Sequence, residues 1–185
     1  MSSLNLIALG TPDSNIVEDL RFALQATFRF PVRLRTNSFA VDSFYNAERG
    51  QYNSTFILEY LNRLLIDKLH LTLPRERILA VLPHDLFIPI LTYVFGEAEL
   101  NGRVAVVSYH RLQNELYGLR PNKRLLSARL LAEAIHEIGH TFGLLHCHSQ
   151  QCVMRSSGSV EEIDLKGSSF CRACQTGLER AMVPD

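Results

Sequence analysis

Three histidines and one glutamate in the last third of the chain form a pattern that can bind and use a metal ion. The segment reads HEIGHTFGLLH, which places His136 and His140 four positions apart with Glu137 between them. On an α-helix this spacing puts both imidazoles on one face, with about 6 Å between their Cβ atoms. An HExxH pair of this kind on a helix binds zinc, and its glutamate can act as a general base.

A third nitrogen comes from His146 if the chain turns after His140. An unbroken helix would carry His146 about 15 Å along its axis from His136, which is too far for one ion. Gly143 can adopt the left-handed backbone that ends a helix and brings His146 back. Three protein nitrogens leave one position of a tetrahedral zinc ion open for water, which is typical of a catalytic site. We therefore predict zinc on the three histidines and a proton-transfer role for Glu137.

All four cysteines of the chain follow His146, at positions 147, 152, 171 and 174. Clustered thiols in a chain without an export signal more often bind metal than form disulfides. Cys147, Cys152, Cys171 and Cys174 are therefore predicted to hold a second, structural zinc ion, since four sulfurs leave no open position. A disulfide pair, a redox CxxC and a nucleic-acid-binding zinc finger are the alternatives. Because Cys147 follows His146 directly, this ion should also hold the third histidine in place.

Composition limits the classes of partner. The 185 residues are 46% hydrophobic and 21% charged, and 19 basic residues balance 19 acidic ones. Neutrality argues against a nucleic-acid or anionic-membrane partner. No apolar run is long enough to span a membrane, and the N-terminal residues lack the basic start of a secretory signal. We expect a monomeric, cytoplasmic protein of one domain.

Hydrophobic patterning predicts an α/β fold. Apolar runs at 4–9, 32–41, 78–82, 93–95 and 104–107 are expected as strands, and helical spacing is seen over 14–28, 54–69 and 123–142. Ser14, and Asn53 or Ser54, are candidate helix caps. Asn101-Gly102 favours a tight turn, so 93–107 should form an antiparallel hairpin at the edge of a mixed sheet. The CRACQTGLERAMV segment is expected as a short helix.

The extended motif resembles a known family. HEIGHTFGLLHC continues with HSQQCVM and, after 16 further residues, with CRAC. This is similar to the HExxHxxGxxHCxxxxCxM and CxxC pattern of the archaemetzincins, a family of zinc metallopeptidases in the metzincin clan. The specific match spans His136 to Cys174, and the first 120 residues match only in the order of their elements.

The resemblance carries several expectations. It implies a compact metzincin-like domain over residues 1–185, with an upper subdomain (1–143) and a C-terminal subdomain (144–185), and two zinc ions per chain. It implies a metallopeptidase that hydrolyses peptide bonds through a zinc-activated water, with Glu137 as general base. Met154 would be the Met-turn methionine beneath the metal. The hairpin from Tyr93 to Val107 would include the edge strand along which an extended peptide lies.

Some questions stay open at this level. Some metzincins use a tyrosine shortly after the Met-turn, but none occurs between Met154 and Asp185, which leaves Tyr117 as an upstream candidate to stabilise the oxyanion. A zinc-stabilised peptide-binding module with little turnover and a zinc amidase for small amides are the alternative functions. The pattern assigns no role to His70, His84, His110 or His148, and it leaves the substrate and the endo- or exopeptidase mode undetermined.

Overall fold

Strands and helices alternate along the chain in a computed structural model that describes residues 2–39, 41–67 and 75–183. In chain order the elements are β1 (Ser3–Leu9), α1 (Ser14–Phe28), β2 (Val32–Phe39), β3 (Tyr45–Asn46), β4 (Gln51–Asn53), α2 (Ser54–Asp67), β5 (Glu76–Leu82), β6 (Leu86–Phe87), β7 (Gly96–Ala98), β8 (Val104–Ser108), α3 (Lys123–Thr141), α4 (Val160–Lys166) and α5 (Arg172–Met182). Short 3-10 helices occupy Asp42–Phe44, His110–Leu112 and Asn114–Tyr117. The α/β prediction is confirmed.

The main sheet has five strands in the order β2-β1-β5-β8-β7. The first four run parallel, and β7 pairs antiparallel with β8 at one edge. A smaller sheet has three short strands in the order β3-β4-β6. Strands β3 and β4 precede α2 in the chain, and β6 follows β5. The mixed sheet with an antiparallel edge hairpin agrees with the prediction from Asn101-Gly102.

Helices cover both faces of the main sheet, which explains why its central strands β5 and β8 carry runs of consecutive apolar residues rather than alternating ones. Leu79 and Val81 of β5 pack into the core that also contains buried residues of α1 and α3. Ile78 and Ala80 point to the opposite face, into a second core with α2. Parallel strands buried on both sides need apolar residues at every position. Helix α3, which carries the HExxH motif, therefore rests on one face of the sheet.

Polar side chains define where the helices begin. Asp13 caps α1 by accepting a hydrogen bond from the backbone N–H of Asn15, so the cap is one residue before the predicted Ser14. Asn53 caps α2 through the N–H of Phe56. Asn122 caps α3 through the N–H of Leu125. The predicted end of the second helix at Leu69, together with His70, lies outside the described residues.

The edge strand is shorter than predicted. It begins at Gly96, and Tyr93 to Phe95 are not part of it, although Val94 forms a single bridge to Leu86. The reason is a contact between distant parts of the chain: the guanidinium of Arg49 binds the carbonyls of Leu91 and Thr92 and holds the preceding segment against the smaller sheet. Strand β2 covers Val32–Phe39, whereas extended structure was expected through Val41. Val41 is not in a strand, and position 40 lies outside the described residues.

Helix α4 was not predicted, and it attaches to α3 through two ion pairs. In one pair the basic residue belongs to α3, and in the other it belongs to α4. Arg129 of α3 makes a two-bond pair with Asp164, at 2.8 and 2.7 Å. One turn along α3, Glu133 pairs with Lys166 at 2.9 Å, and both side chains are almost completely buried.

Within the described ranges, no helix combines the length and apolar character needed to span a bilayer.

Candidate active site and metal centres

Helix α3 carries two of the three histidines into the interior. Its residues Ile135 and Ile138 are buried against the sheet, in agreement with the helical spacing of apolar residues over 123–142. His136 and Glu137 are also buried, at 5% and 6% exposure, and His140 is half-buried. The polar side chains therefore lie at the border between the core and a cleft.

Backbone carbonyls orient the two helical imidazoles. Nδ1 of His136 lies 2.8 Å from the carbonyl oxygen of Val153, and Nδ1 of His140 lies 2.7 Å from that of Leu144. A carbonyl can only accept, so each Nδ1 carries the proton and each Nε2 is left with a lone pair. The two Nε2 atoms face each other at 3.0 Å. Two facing lone pairs at this distance fit a cation placed between them.

The turn predicted at Gly143 brings in the third ring. Gly143 has φ of 84°, its N–H bonds the carbonyl of His140, and the N–H of Leu144 bonds that of Gly139. The ring of His146 consequently lies 5.3 Å from that of His136 and 5.0 Å from that of His140, centroid to centroid. One ligand atom from each of the three rings lies within 4.8 Å of the others. The prediction that these residues come together agrees with the structure.

The three imidazoles are held neutral, as metal ligands must be. Burial lowers the pKa of His136 to about 2, with a further contribution from the charge of Lys166. Burial also lowers the pKa of His140 and of His146. A tetrahedral ion with Zn–N bonds of about 2.0–2.1 Å needs nitrogens about 3.3 Å apart, close to the 3.0 Å between the helical pair. The donor set and its spacing fit zinc.

Glu137 lies between the helix and the edge strand. A β-carbon at Gly96 would stand 2.7 Å from its Cγ, so the carboxylate packs directly on the β7 backbone. Burial raises the pKa of Glu137 well above its usual value, and the neighbouring charge of Glu133 raises it further, while Lys166 opposes both. This is a carboxylate that binds a proton readily.

A cleft of about 450 Å³ opens beside the histidines. One wall is the segment from Leu91 to Gly96, the floor is α3 with His136 and Glu137, and the opposite wall includes Gly158. The hydroxyl of Tyr93 donates a 2.6 Å hydrogen bond to the carbonyl of Gly158, which joins the two walls. Tyr117, the upstream tyrosine considered from the sequence, donates to the carbonyl of Arg111 and does not line this cleft.

The four cysteines come together in a second group. Their Sγ atoms all lie within 4.8 Å of one another, and none forms a disulfide. Sγ of Cys147 lies 3.8 Å from that of Cys171, the separation that two Zn–S bonds of about 2.3 Å give at a tetrahedral ion. The backbone N–H of Cys174 bonds the sulfur of Cys171 and lowers its pKa to about 7. The arrangement fits a second zinc ion and contradicts the disulfide alternative.

The two groups share one short backbone segment. Val153 accepts the His136 bond, and the carbonyl of Met154 accepts a bond from the N–H of Cys147 at 2.9 Å. Met154 is fully buried beneath α3, and a β-carbon at Gly139 would stand 2.5 Å from its sulfur. Met154 therefore supports the histidine helix by packing.

Sequence reasoning missed several residues around this site. Gly96 and Tyr93 are recognisable only once the edge strand is placed over α3. Glu133 precedes Glu137 by four positions and so shares its helix face, which was a usable indication. Lys166 belongs to a helix that the patterning did not reveal.

Comparison with known proteins agrees with this geometry. The model of Peptidase family M54 matches residues 14–180. The chain is 40% identical to the archaemetzincin of Archaeoglobus fulgidus over 90% of this chain and 92% of that protein. It is 44% identical to that of Methanocaldococcus jannaschii over 73% and 70% of the two chains.

Solved structures are similar over nearly the whole chain. The crystal structure of archaemetzincin from Archaeoglobus fulgidus superposes with a TM-score of 0.78 at 36% identity, covering 95% of this chain and 99% of that one. A zinc-dependent peptidase from Methanocorpusculum labreanum gives a TM-score of 0.83 at 30% identity, with the same coverage. The chain therefore belongs to Peptidase family M54, the archaemetzincins, and is a zinc metallopeptidase.

Proposed function

We propose that this protein hydrolyses peptide bonds at a zinc ion held by His136, His140 and His146, with Glu137 as the general base. The observation that carries the proposal is the convergence of three neutral imidazoles beside a buried carboxylate in one cleft. The ion, when bound, supplies Lewis-acid chemistry: it polarises the scissile carbonyl and lowers the pKa of the attacking water.

Glu137 transfers protons during the reaction. Its carboxylate takes one proton from the water that attacks the carbonyl carbon, and it later gives a proton to the leaving nitrogen as the C–N bond breaks. The products are a carboxylic acid and an amine, so atoms balance with one water consumed. A raised pKa favours uptake of the proton, and contact with the Gly96 backbone keeps the carboxylate in place between the two steps.

The peptide would lie along β7. This strand is the last of the main sheet and pairs with β8 on one side only. Its other edge borders the cleft, where backbone N–H and C=O groups can pair with an extended chain. Gly96 lines the cleft directly. We propose a peptide substrate and a monomeric enzyme that does not require nucleic acid, in line with the balanced charge of the chain.

We propose a second, structural zinc ion on Cys147, Cys152, Cys171 and Cys174, giving two ions per chain. Its role would be to fix the 144–185 subdomain beneath the 1–143 subdomain and to hold His146 through Cys147. Metal analysis of the purified protein should give two zinc ions. Cys171→Ser should reduce that number to one and lower thermal stability, whereas unchanged content would contradict the assignment.

Glu137→Gln tests the mechanism. The variant should retain its zinc and lose turnover of a peptide library by about 10² or more. Glu48→Gln, which removes an exposed carboxylate elsewhere, is the matched control. Equal turnover in the Glu137 variant would refute the general-base role. Peptide binding with no cleavage by the unmodified protein would instead favour the binding-module alternative.

A further inference from the structure

A second cavity, of about 690 Å³, adjoins the zinc cleft. The two share Thr92 as a lining residue, so the segment leading to β7 separates them. Its lining includes the side chains of Arg49, Tyr52, His84, Asp85 and Arg111. None of them belongs to the zinc sites, and the sequence patterns assigned them no role.

A continuous polar network holds two guanidinium groups at this cavity. Asp85 accepts two hydrogen bonds from Arg111, at 2.6 and 2.7 Å, and a third from Gln51 at 2.9 Å. Gln51 in turn accepts a 3.0 Å bond from Nε of Arg49. Arg49 also donates through Nη2 to the carbonyls of Leu91 and Thr92. Both guanidiniums are thus fixed before any ligand arrives.

The network leaves positive charge uncompensated. Asp85 neutralises Arg111, but among the ion pairs of the described ranges none gives Arg49 a carboxylate partner. Its Nε and Nη2 donate to neutral acceptors, and its hydrogen bonds to the described residues leave Nη1 available. An arginine with a fixed fork and free N–H groups is suited to bind a carboxylate.

Aromatic rings form another wall of the cavity. Tyr52 stacks on His84 with ring centroids 4.5 Å apart and contacts Tyr45 at 5.1 Å. Burial lowers the pKa of His84. These rings line the cavity together with Arg49, whose guanidinium packs over the ring of Phe87 at 4.3 Å from its centroid.

The position of the cavity relates it to the substrate path. Thr92 lies four residues before β7, so the cavity is at the end of the cleft where the edge strand begins. A peptide paired with β7 and extending past that end would reach Arg49. If the peptide runs antiparallel to β7, the part that arrives there is its C-terminal side.

We propose that this cavity is a distal substrate subsite that binds a carboxylate of the peptide through Arg49. The carboxylate is the free C-terminus or an acidic side chain on the C-terminal side of the scissile bond. The inference rests on the proposed function, because it requires a peptide in the zinc cleft. It adds a specificity element outside the metal centre.

The test measures binding rather than turnover. Fluorescent peptides of one sequence are prepared with a free C-terminus, with a C-terminal amide, and with an amide plus one aspartate near that end. Their dissociation constants are measured by anisotropy on the zinc-loaded Glu137→Gln protein, so that none is cleaved. Both carboxylate peptides, or the one whose carboxylate reaches the cavity, should bind about tenfold more tightly than the neutral one.

Arg49→Gln in the same background should remove this preference. Because Arg49 also binds the carbonyls of Leu91 and Thr92, the readout is the ratio between the affinities for the carboxylate and neutral peptides, which should fall to about one. Arg33→Gln, an exposed arginine of β2 at the far edge of the sheet, should keep the preference. Tyr45→Glu places a negative charge at the cavity without touching the Arg49 bonds, and it should remove the preference even if Arg49→Gln fails to fold.

Equal affinity for the three peptides would overturn the subsite. So would an Arg49→Gln protein that loses affinity for all three peptides equally, because Arg49 would then act only as a clamp on Leu91 and Thr92. Hydrolysis by the unmodified protein is measured separately. Cleavage without a carboxylate preference would refute the subsite alone, and a carboxylate preference without cleavage would refute the proposed hydrolysis alone.

Discussion

The α-carbon of Gly96 lies so close to Glu137 that residue 96 has no room for a side chain. A β-carbon there would stand 2.7 Å from Cγ and 2.8 Å from Oε1 of the carboxylate, and 2.7 Å from the carbonyl oxygen of Val106. Real β-carbons essentially never approach so closely. The edge strand that would bind the peptide is therefore also the surface that fixes the proposed general base.

Gly96→Ala should displace the Glu137 side chain, because the carbonyl of Val106 prevents the strand from yielding. A displacement of about 1 Å at a reacting group can cost about 10²-fold in rate, so turnover should fall by about 10- to 100-fold with zinc content unchanged. Ala98→Ser, on the same strand, is the control. Peptidase kinetics measure the turnover, and metal analysis measures the zinc content. Full activity in Gly96→Ala would show that Glu137 need not occupy this position.

Tyr93→Phe should make the cleft easier to enter. The change removes the hydrogen bond to Gly158, which is worth about 0.5–1.5 kcal/mol, and so should raise the association rate of a peptide or hydroxamate inhibitor about two- to tenfold. Stopped-flow binding measures this rate. Tyr117→Phe is the matched control, because its hydroxyl bonds the carbonyl of Arg111 outside the cleft lining. A slower or unchanged rate for Tyr93→Phe would mean that this bond does not limit access.

The convergence of the two candidate metal-binding groups could be predicted from sequence because their constraints are local. His136 and His140 share a helix face by their spacing alone, and Gly143 has the left-handed φ that the return of His146 requires. The four cysteines needed only the convergence of two short segments. In each case a few neighbouring residues determine the backbone geometry.

The cleft walls could not be predicted, because they depend on contacts between distant segments. Tyr93 was expected in a strand, but Arg49, 42 residues before Leu91, binds that carbonyl and shifts the start of β7 to Gly96. Lys166 reaches Glu133 from a helix of seven residues, too short for hydrophobic periodicity to reveal it. Such pairings have no counterpart in local patterning.

Gly139→Ala should destabilise the protein although alanine is the better helix former. Alanine gains about 1 kcal/mol of helix propensity over glycine, but its β-carbon would stand 2.5 Å from the sulfur of Met154. Overpacking of this kind costs about 1–3 kcal/mol. Urea unfolding of the zinc-loaded protein should therefore show a net loss.

The same substitution in a Met154→Ala background should be neutral or stabilising, since the space beneath the helix is then empty. The sign reversal between the two backgrounds is the decisive measurement of this double-mutant cycle. If Gly139→Ala costs the same in both, Met154 is not what restricts residue 139, and its supporting role under the histidine helix is wrong.

The metal-free protein should lose stability as the pH falls below about 6.5, because His136 is buried. In the folded state burial lowers the pKa of His136 to about 2, whereas an unfolded histidine titrates near 6.5. Below the unfolded pKa, the unfolded chain takes up a proton that the folded one does not, so the free energy of unfolding falls by up to about 1.4 kcal/mol per pH unit for this group. His136→Asn removes this term, and His148→Asn controls for the loss of an exposed histidine. The free energy of unfolding is measured by urea unfolding after chelation at pH 7.5, 6.5 and 5.5. As the pH falls, it should decrease more for the wild type than for His136→Asn. An equal decrease in both proteins would mean that His136 accepts a proton in the folded protein.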